Sequence, residues 1–316
     1  MTGAAGTSTL AIFRPIADRP RLAALIGALC IAFSGIFYRF AEVSPATATV
    51  FRCLYGLPIL AAVALLERRR FGPMPRHLFL LCAVAGVFFG ADLLSWQHAV
   101  DRVGAGLATV IANMQVVVVP LLAWAVLRER PPRAAVMALP VVLVGAILIS
   151  GVVGSDAYGT DPVLGAGLAL FAAVMYSGYL LVIRHGGRDL RRPAGPVAVA
   201  SASTVVVAAL FGIVSGELNP VPYLPAHAWL VLVGITSQSI GYLVISVSLP
   251  RLPAALTSII LLAQPVATVV LARVIPALDE TPSIDQLIGV LLVIGGIAAA
   301  TAPVGRLRDR ARAAFA

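Results

Sequence analysis

Ten apolar runs, each close to the roughly 20 residues that cross about 30 Å of hydrocarbon, dominate this chain. They fall at 22–40, 46–66, 77–97, 104–126, 134–153, 163–183, 195–215, 227–248, 253–275 and 284–303. Apolar residues make up 60% and charged residues 12%, against roughly half and a quarter in a soluble domain. That much hydrocarbon must face lipid. In lipid every backbone N–H and C=O needs an internal partner, which leaves helices or a closed barrel. The runs are continuous rather than alternating with period two, so they predict an all-α polytopic membrane protein with ten transmembrane helices. No connection between runs is long enough for a soluble catalytic domain. The first run reads as an uncleaved anchor behind Arg14 and Arg19.

The runs also repeat. "DRVGAGLATVIANMQ" at Asp101–Gln115 matches "PRLPAALTSIILLAQ" at Pro250–Gln264, pairing Arg102 with Arg251, Ala105 with Ala254, Leu107 with Leu256 and Gln115 with Gln264. "ERPPRAAVMALPVVLVGA" from Glu129 returns as "ETPSIDQLIGVLLVIGGI" from Glu280, pairing Val142 with Val293 and Gly145 with Gly296. A weaker match sets "FSG" at Phe33–Gly35 against "YSG" at Tyr176–Gly178. Two five-span halves follow, 21–153 and 163–303, flanked by a tail at 1–20 and a basic tail at 304–316. Five is odd, so the second half enters from the opposite side and the repeats are inverted. Inversion lets each half adopt the conformation the other has just left, which suits a solute carrier.

Charge sets the orientation. All the basic residues are arginine, and the net charge is +9. With the N-terminus inside, clusters at Arg14–Arg21, Arg68–Arg76, Arg128–Arg133, Arg184–Arg192 and Arg306–Arg312 are cytoplasmic, with Arg251 beside them. The other side keeps Arg39, Arg102 and Arg273, and Arg52 lies inside a span. This is the positive-inside pattern, and it places both termini in the cytoplasm of an inner-membrane protein. The positive balance therefore predicts contact with anionic lipid and no nucleic-acid partner. Cys30, Cys53 and Cys82 all lie within spans and read as packing residues, with no metal or disulfide spacing.

Polar groups inside hydrocarbon need a partner or a purpose. Gln115 lies about 16 Å from the outer end of its span and Gln264 about 16 Å from the inner end of its own, so both reach the midplane. Gln238 comes to a similar depth. Amides offer donors and acceptors suited to a neutral or zwitterionic solute, although an interhelical hydrogen bond accounts for them equally. Asn113 stands about 200° around the helix from Gln115, so only one of the two can face a cavity, and the sequence does not choose. Ser34, Tyr38, Tyr176, Ser177, Tyr179 and Tyr242 are further wall candidates. Arg52 and Asp92 lie about 9 and 8 Å below the outer ends of consecutive spans, a spacing that predicts an intramembrane ion pair, with contact to a solute or proton, or Arg52 snorkelling to headgroups, as the other readings. Trp96, Trp124 and Trp229 sit near span ends and read as an interfacial belt. Gly86-Val-Phe-Phe-Gly90 predicts close helix packing.

Ten spans in two five-helix repeats, Arg52 early in span 2, "LRERP" at Leu127–Pro131 and a Gly-rich fifth span resemble the EamA-type carriers of the drug/metabolite transporter superfamily. "LDETP" at Leu278–Pro282 departs from the closing motif by lacking its flanking arginines. The resemblance implies movement of a small organic metabolite, often outward, with spans 1, 3, 4, 6, 8 and 9 around the solute and spans 5 and 10 peripheral. It names no solute. Span 1 holds no carboxylate, so the glutamate that small multidrug carriers use to exchange protons is missing, and proton coupling would fall to Asp92. The expectation is a secondary transporter of an amino-acid-like solute working by alternating access, with no cofactor, no metal and no enzymatic step. A monomer and a homodimer both fit. An intramembrane enzyme and a channel are the rival readings; no catalytic spacing and no ring of charges favours either.

Overall fold

A computed structural model describes residues 13–149, 161–274 and 283–301. The chain's ends, the 150–160 connection and the Leu278–Pro282 motif lie outside them. The elements are α1 (Arg14–Ala17), α2 (Pro20–Ala41), α3 (Pro45–Phe71), α4 (Arg76–Ala112), α5 (Gln115–Leu127), α6 (Arg133–Ile149), α7 (Pro162–Gly186) and α8 (Ala194–Ser215). Then come α9 (Leu224–Val233), a π-helical stretch (Gly234–Gly241), α10 (Tyr242–Ser248), a 3₁₀ turn (Leu249–Arg251), α11 (Ala254–Leu261), α12 (Ala263–Val274) and α13 (Ile284–Thr301). The described residues contain no strand.

Local chemistry sets the ends. Proline, whose missing N–H costs nothing in a first turn, opens α2, α3 and α7. Ser44 and Asp161 cap α3 and α7 by accepting from Thr47 N and Leu164 N. Gly72, at φ +84°, closes α3. Six helical stretches are long and apolar enough to cross a membrane, and shorter apolar helices at Gln115–Leu127, Arg133–Leu148, Ala254–Thr268 and Leu287–Ala300 accompany them. Their outward faces leave Leu66, Met137, Leu210 and Leu291 exposed, as a lipid-facing surface requires.

The packing repeats when the halves are exchanged. α4 lies antiparallel to α7, with Phe88 beside Gly178 and Cys82 beside Gly186; α2 lies antiparallel to the π stretch and α10, with Gly27 beside Ile245 and Ile31 beside Gly241. α3 packs on α8 and α6 on α13. In the last pair the contacts are reciprocal: a Cβ on Gly145 would meet Val293, and one on Gly296 would meet Val142. These are the residues that the sequence repeat pairs. Equivalent turns also fall at opposite ends of the bundle. Thr47, just after the α2–α3 turn, bonds Glu217 O, whereas Ala194, just after the α7–α8 turn, bonds Glu67 at the far end of α3. The Gly86–Gly90 motif serves this interior: a Cβ on Gly86 would lie 2.2 Å from Ala200 O.

Two features depart from the sequence reading. The third and fourth runs are not separated by a loop, because α4 is helical throughout Arg76–Ala112. Asp92 and Asn113 still line one cavity, although a straight helix would set them about 31 Å apart, so its axis bends between them. The fourth and ninth runs are instead each broken near the middle. α4 stops at Ala112 and α5 starts at Gln115; α11 stops at Leu261 and α12 starts at Ala263. Ala112 and Leu261 are repeat mates. At each break the backbone tightens to i→i−3 bonds, Met114 N to Ile111 O and Leu262 N to Ile259 O.

Candidate functional site

The two breaks open onto one cavity of about 340 Å³ among α2, α3, α4, α5, α7, α10 and α12. That is the lower end of the roughly 300–1,000 Å³ usual for small-molecule sites. Ser34, Tyr38, Arg52, Asp92, Asn113 and Gln115 line it from the first half, and Tyr176, Tyr242 and Gln264 from the second.

Asn113 and Gln115 therefore both reach the cavity. The helical wheel that set them apart does not apply, because the helix ends between them. Thr109, Trp96 and Thr268 join the wall. Trp96 is thus not part of an interfacial belt, whereas Trp124, 58% exposed, faces outward. Thr268 could have been found from helical spacing, four residues after Gln264, where its hydroxyl donates to Gln264 O and reaches Ala32 O. Three candidates stand behind the wall. Ser177 is fully buried and donates to Ala173 O. Tyr179 stacks on Phe89 at 4.5 Å between ring centres and meets Tyr242 edge-on, a floor below the cavity. Gln238 is fully buried in the π stretch.

Gln238 explains Arg52. The expected Arg52–Asp92 ion pair is not formed. Arg52 Nε donates to Gln238 Oε1 at 2.9 Å, Nη2 to Ser237 Oγ at 3.0 Å and Nη1 to Tyr38 OH at 3.0 Å. Gln238 Nε2 is anchored in turn by Ser201 Oγ at 2.8 Å. The wider π turn presents the neighbouring residues Ser237 and Gln238 together to one guanidinium, and Gly56 lets α3 approach: a Cβ there would lie 2.8 Å from Gln238 Cγ. Tyr38, Phe89 and Tyr242 rings surround the guanidinium at 5.5–5.8 Å. Arg52 is 2% exposed, and all three of its hydrogen-bond acceptors are neutral. Asp92, the carboxylate on the same cavity, makes no ion pair among the described residues.

Four polar atoms at the cavity are buried without a hydrogen bond among the described residues: Asn113 Nδ2, Gln115 Oε1, Gln264 Nε2 and Tyr176 Oη. Tyr176 stands beside Tyr242 and Gln264, yet its hydroxyl completes no bond of ordinary geometry with them. Buried polar atoms are normally satisfied, so this cluster of donors and acceptors is placed for a partner that enters the cavity.

Apolar helices in two equivalent halves, closed around a polar pocket at two broken helices, define a polytopic membrane protein of internal-repeat design. The model of the EamA-like transporter family matches residues 20–151 and again 163–302, and the chain belongs to that family. One solved structure, described only as the crystal structure of a protein, is similar with a TM-score of 0.76 and 22% identity, over 89% of this chain and 98% of that one. At that identity the likeness shows the fold. No curated protein matches the chain.

Proposed function

We propose that this protein is a secondary carrier that moves a small zwitterionic, amino-acid-like solute across the inner membrane by alternating access. The observation that carries the reading is the cavity's polar set: an unneutralised guanidinium and an unpaired carboxylate in one pocket with orphaned amide and hydroxyl groups. A solute carboxylate satisfies Arg52 and the amide donors of Asn113 and Gln264. A solute ammonium satisfies Asp92 and the acceptor Gln115 Oε1. Neither charge of a zwitterion is then left bare in a low-dielectric site. Broken helices at the pocket are how inverted-repeat carriers expose polar backbone to a solute. The family supports the transporter class. Reciprocal contacts between repeat mates and the arginine distribution support ten crossings in two inverted halves with both termini cytoplasmic. Net movement then follows the solute gradient, outward where the solute accumulates inside.

The test is counterflow in proteoliposomes against amino acids, sugars and lipophilic cations. Saturable exchange of an amino acid, lost when its carboxylate is esterified, is the expected result. Linear, unsaturable flux would replace the carrier with a channel, and saturable exchange confined to sugars or cations would remove the zwitterion.

A further inference from the structure

At the arginine-rich end of the molecule, away from the cavity, four segments meet at one ion pair. Glu129 lies in the "LRERP" turn after α5, and Arg184 is in the last turn of α7. Their side chains are paired. The other carboxylate oxygen, Glu129 Oε1, accepts the N–H of Ala254 at the start of α11, at 3.0 Å. Arg184 Nε donates to Leu249 O, just after α10, at 3.1 Å. α4 and α5 pack on α7, α2 packs on the π stretch, α10, α11 and α12, and the two groups meet where α11 also packs on α5. The ion pair thus belongs to the first group, and both of its outward bonds cross to the second. Each bond matches charge to a helix end: a carboxylate on free N–H groups, a guanidinium on free carbonyls. Gly187 lets the two groups touch here, since a Cβ on it would lie 3.0 Å from Pro250 Cγ. Leu180, Ile183, Ile245 and Leu261, all buried, fill the interior between the pair and the cavity floor. The cavity lies toward the other end: Tyr38 is in the last turn of α2, which runs antiparallel to α10.

We infer that Glu129 and Arg184 form the latch that holds the cytoplasmic side shut while the cavity faces outward. The transport cycle must break the two crossing bonds before the solute can leave inward. The inference rests on the carrier reading, but its mechanical part can be measured without a solute. Arg19, at the start of α2, and Arg188, just after α7, are exposed and lie on the two groups. Spin labels on R19C/R188C, with C30A, C53A and C82A, report their separation in liposomes by pulsed EPR. One dominant distance is expected with the latch intact. Glu129→Gln deletes the charge but keeps an acceptor for Ala254 N, and Arg184→Gln deletes the cation. Each should add a longer distance, and the double variant should add little more than either alone, because both act on one pair. In counterflow each should raise the outer-side KM about threefold or more, because the outward-facing state becomes less populated. If monodisperse Glu129→Gln and Arg184→Gln both keep the wild-type distance distribution, the latch is wrong, even where wild-type exchange is saturable. If the distances shift while the wild type exchanges no solute, the latch stands as a mechanical contact and the carrier reading fails.

Discussion

Arg52 sits where a bare cation is least tolerated, and the residues around it show what it is for. A lysine has the charge but not the fork: it cannot keep Tyr38, Ser237 and Gln238 bonded from three separate nitrogens. Arg52→Lys should therefore lower counterflow about tenfold or more, since a hydrogen bond to a charged group contributes about 1.5–3 kcal/mol. If Arg52 and Asp92 meet only through the solute, Asp92→Asn should couple with Arg52→Gln in transport and not in thermal stability, a pattern that a double-mutant cycle reads directly. Gln238→Leu acts one step back. It leaves the cavity wall intact but frees the guanidinium, so it should raise KM for an amino acid and leave KM for its ester nearly unchanged. Equal changes for both would make Gln238 a packing residue. That Gln115 and Gln264 come to one level, and so to one cavity, was legible from counting residues along an apolar run. The rotation that puts Gln238, Ser177 and Tyr179 behind the wall was not, because height along a span says nothing about which neighbour covers it.

At the scale of elements, the bundle depends on glycines that let helices touch. A Cβ on Gly86 would lie 2.2 Å from Ala200 O, and that carbonyl belongs to the backbone of α8 and cannot turn aside. Gly86→Val should destabilise the protein by at least the about 1–3 kcal/mol of an overpacked interior, read as a fall in melting temperature. Gly167→Ala, where a Cβ meets nothing within 4 Å, should leave it unchanged or slightly higher. The α7–α8 turn depends on charge instead. Partial burial pushes the Asp189 carboxyl up, but hydrogen bonds from Arg191 and the charges of Arg191 and Arg192 outweigh it and hold the group below the usual carboxylate value. A depressed pKa stabilises the fold above the unfolded value, and that contribution is lost as pH falls through the folded one. Protection of the amides across 187–193, measured against their intrinsic exchange rates, should therefore fall below about pH 4, and Asp189→Asn should flatten that dependence. The helix breaks were only half visible beforehand. Pro265 follows one closely, but Pro120 lies six residues past Met114, and nothing in "GITSQSIG" distinguishes a π turn from an α turn except its bracketing glycines.

For the whole molecule, the repeat was the legible part, because its mates pack crosswise, Gly145 against Val293 and Gly296 against Val142. Its consequence is a matter of sides. The α2–α3 turn and the α7–α8 turn occupy the same place in the two halves. A duplication without inversion would put them on one face of the membrane; inversion puts them on opposite faces. The bonds at the two ends of α3 already separate them, Thr47 with Glu217 at one end and Glu67 with Ala194 at the other. Apolar helices of this length can sit in a bilayer only with those ends near its two surfaces. Glu42, exposed in the first turn, and Arg188, exposed in the second, report the outcome. With the native cysteines replaced, Glu42→Cys should react with an impermeant maleimide on intact cells, and Arg188→Cys only after permeabilisation. Labelling of both from one side would contradict the inverted arrangement. Alternating access through a two-fold exchange of halves would go with it, since halves that point the same way cannot trade inward-open and outward-open forms.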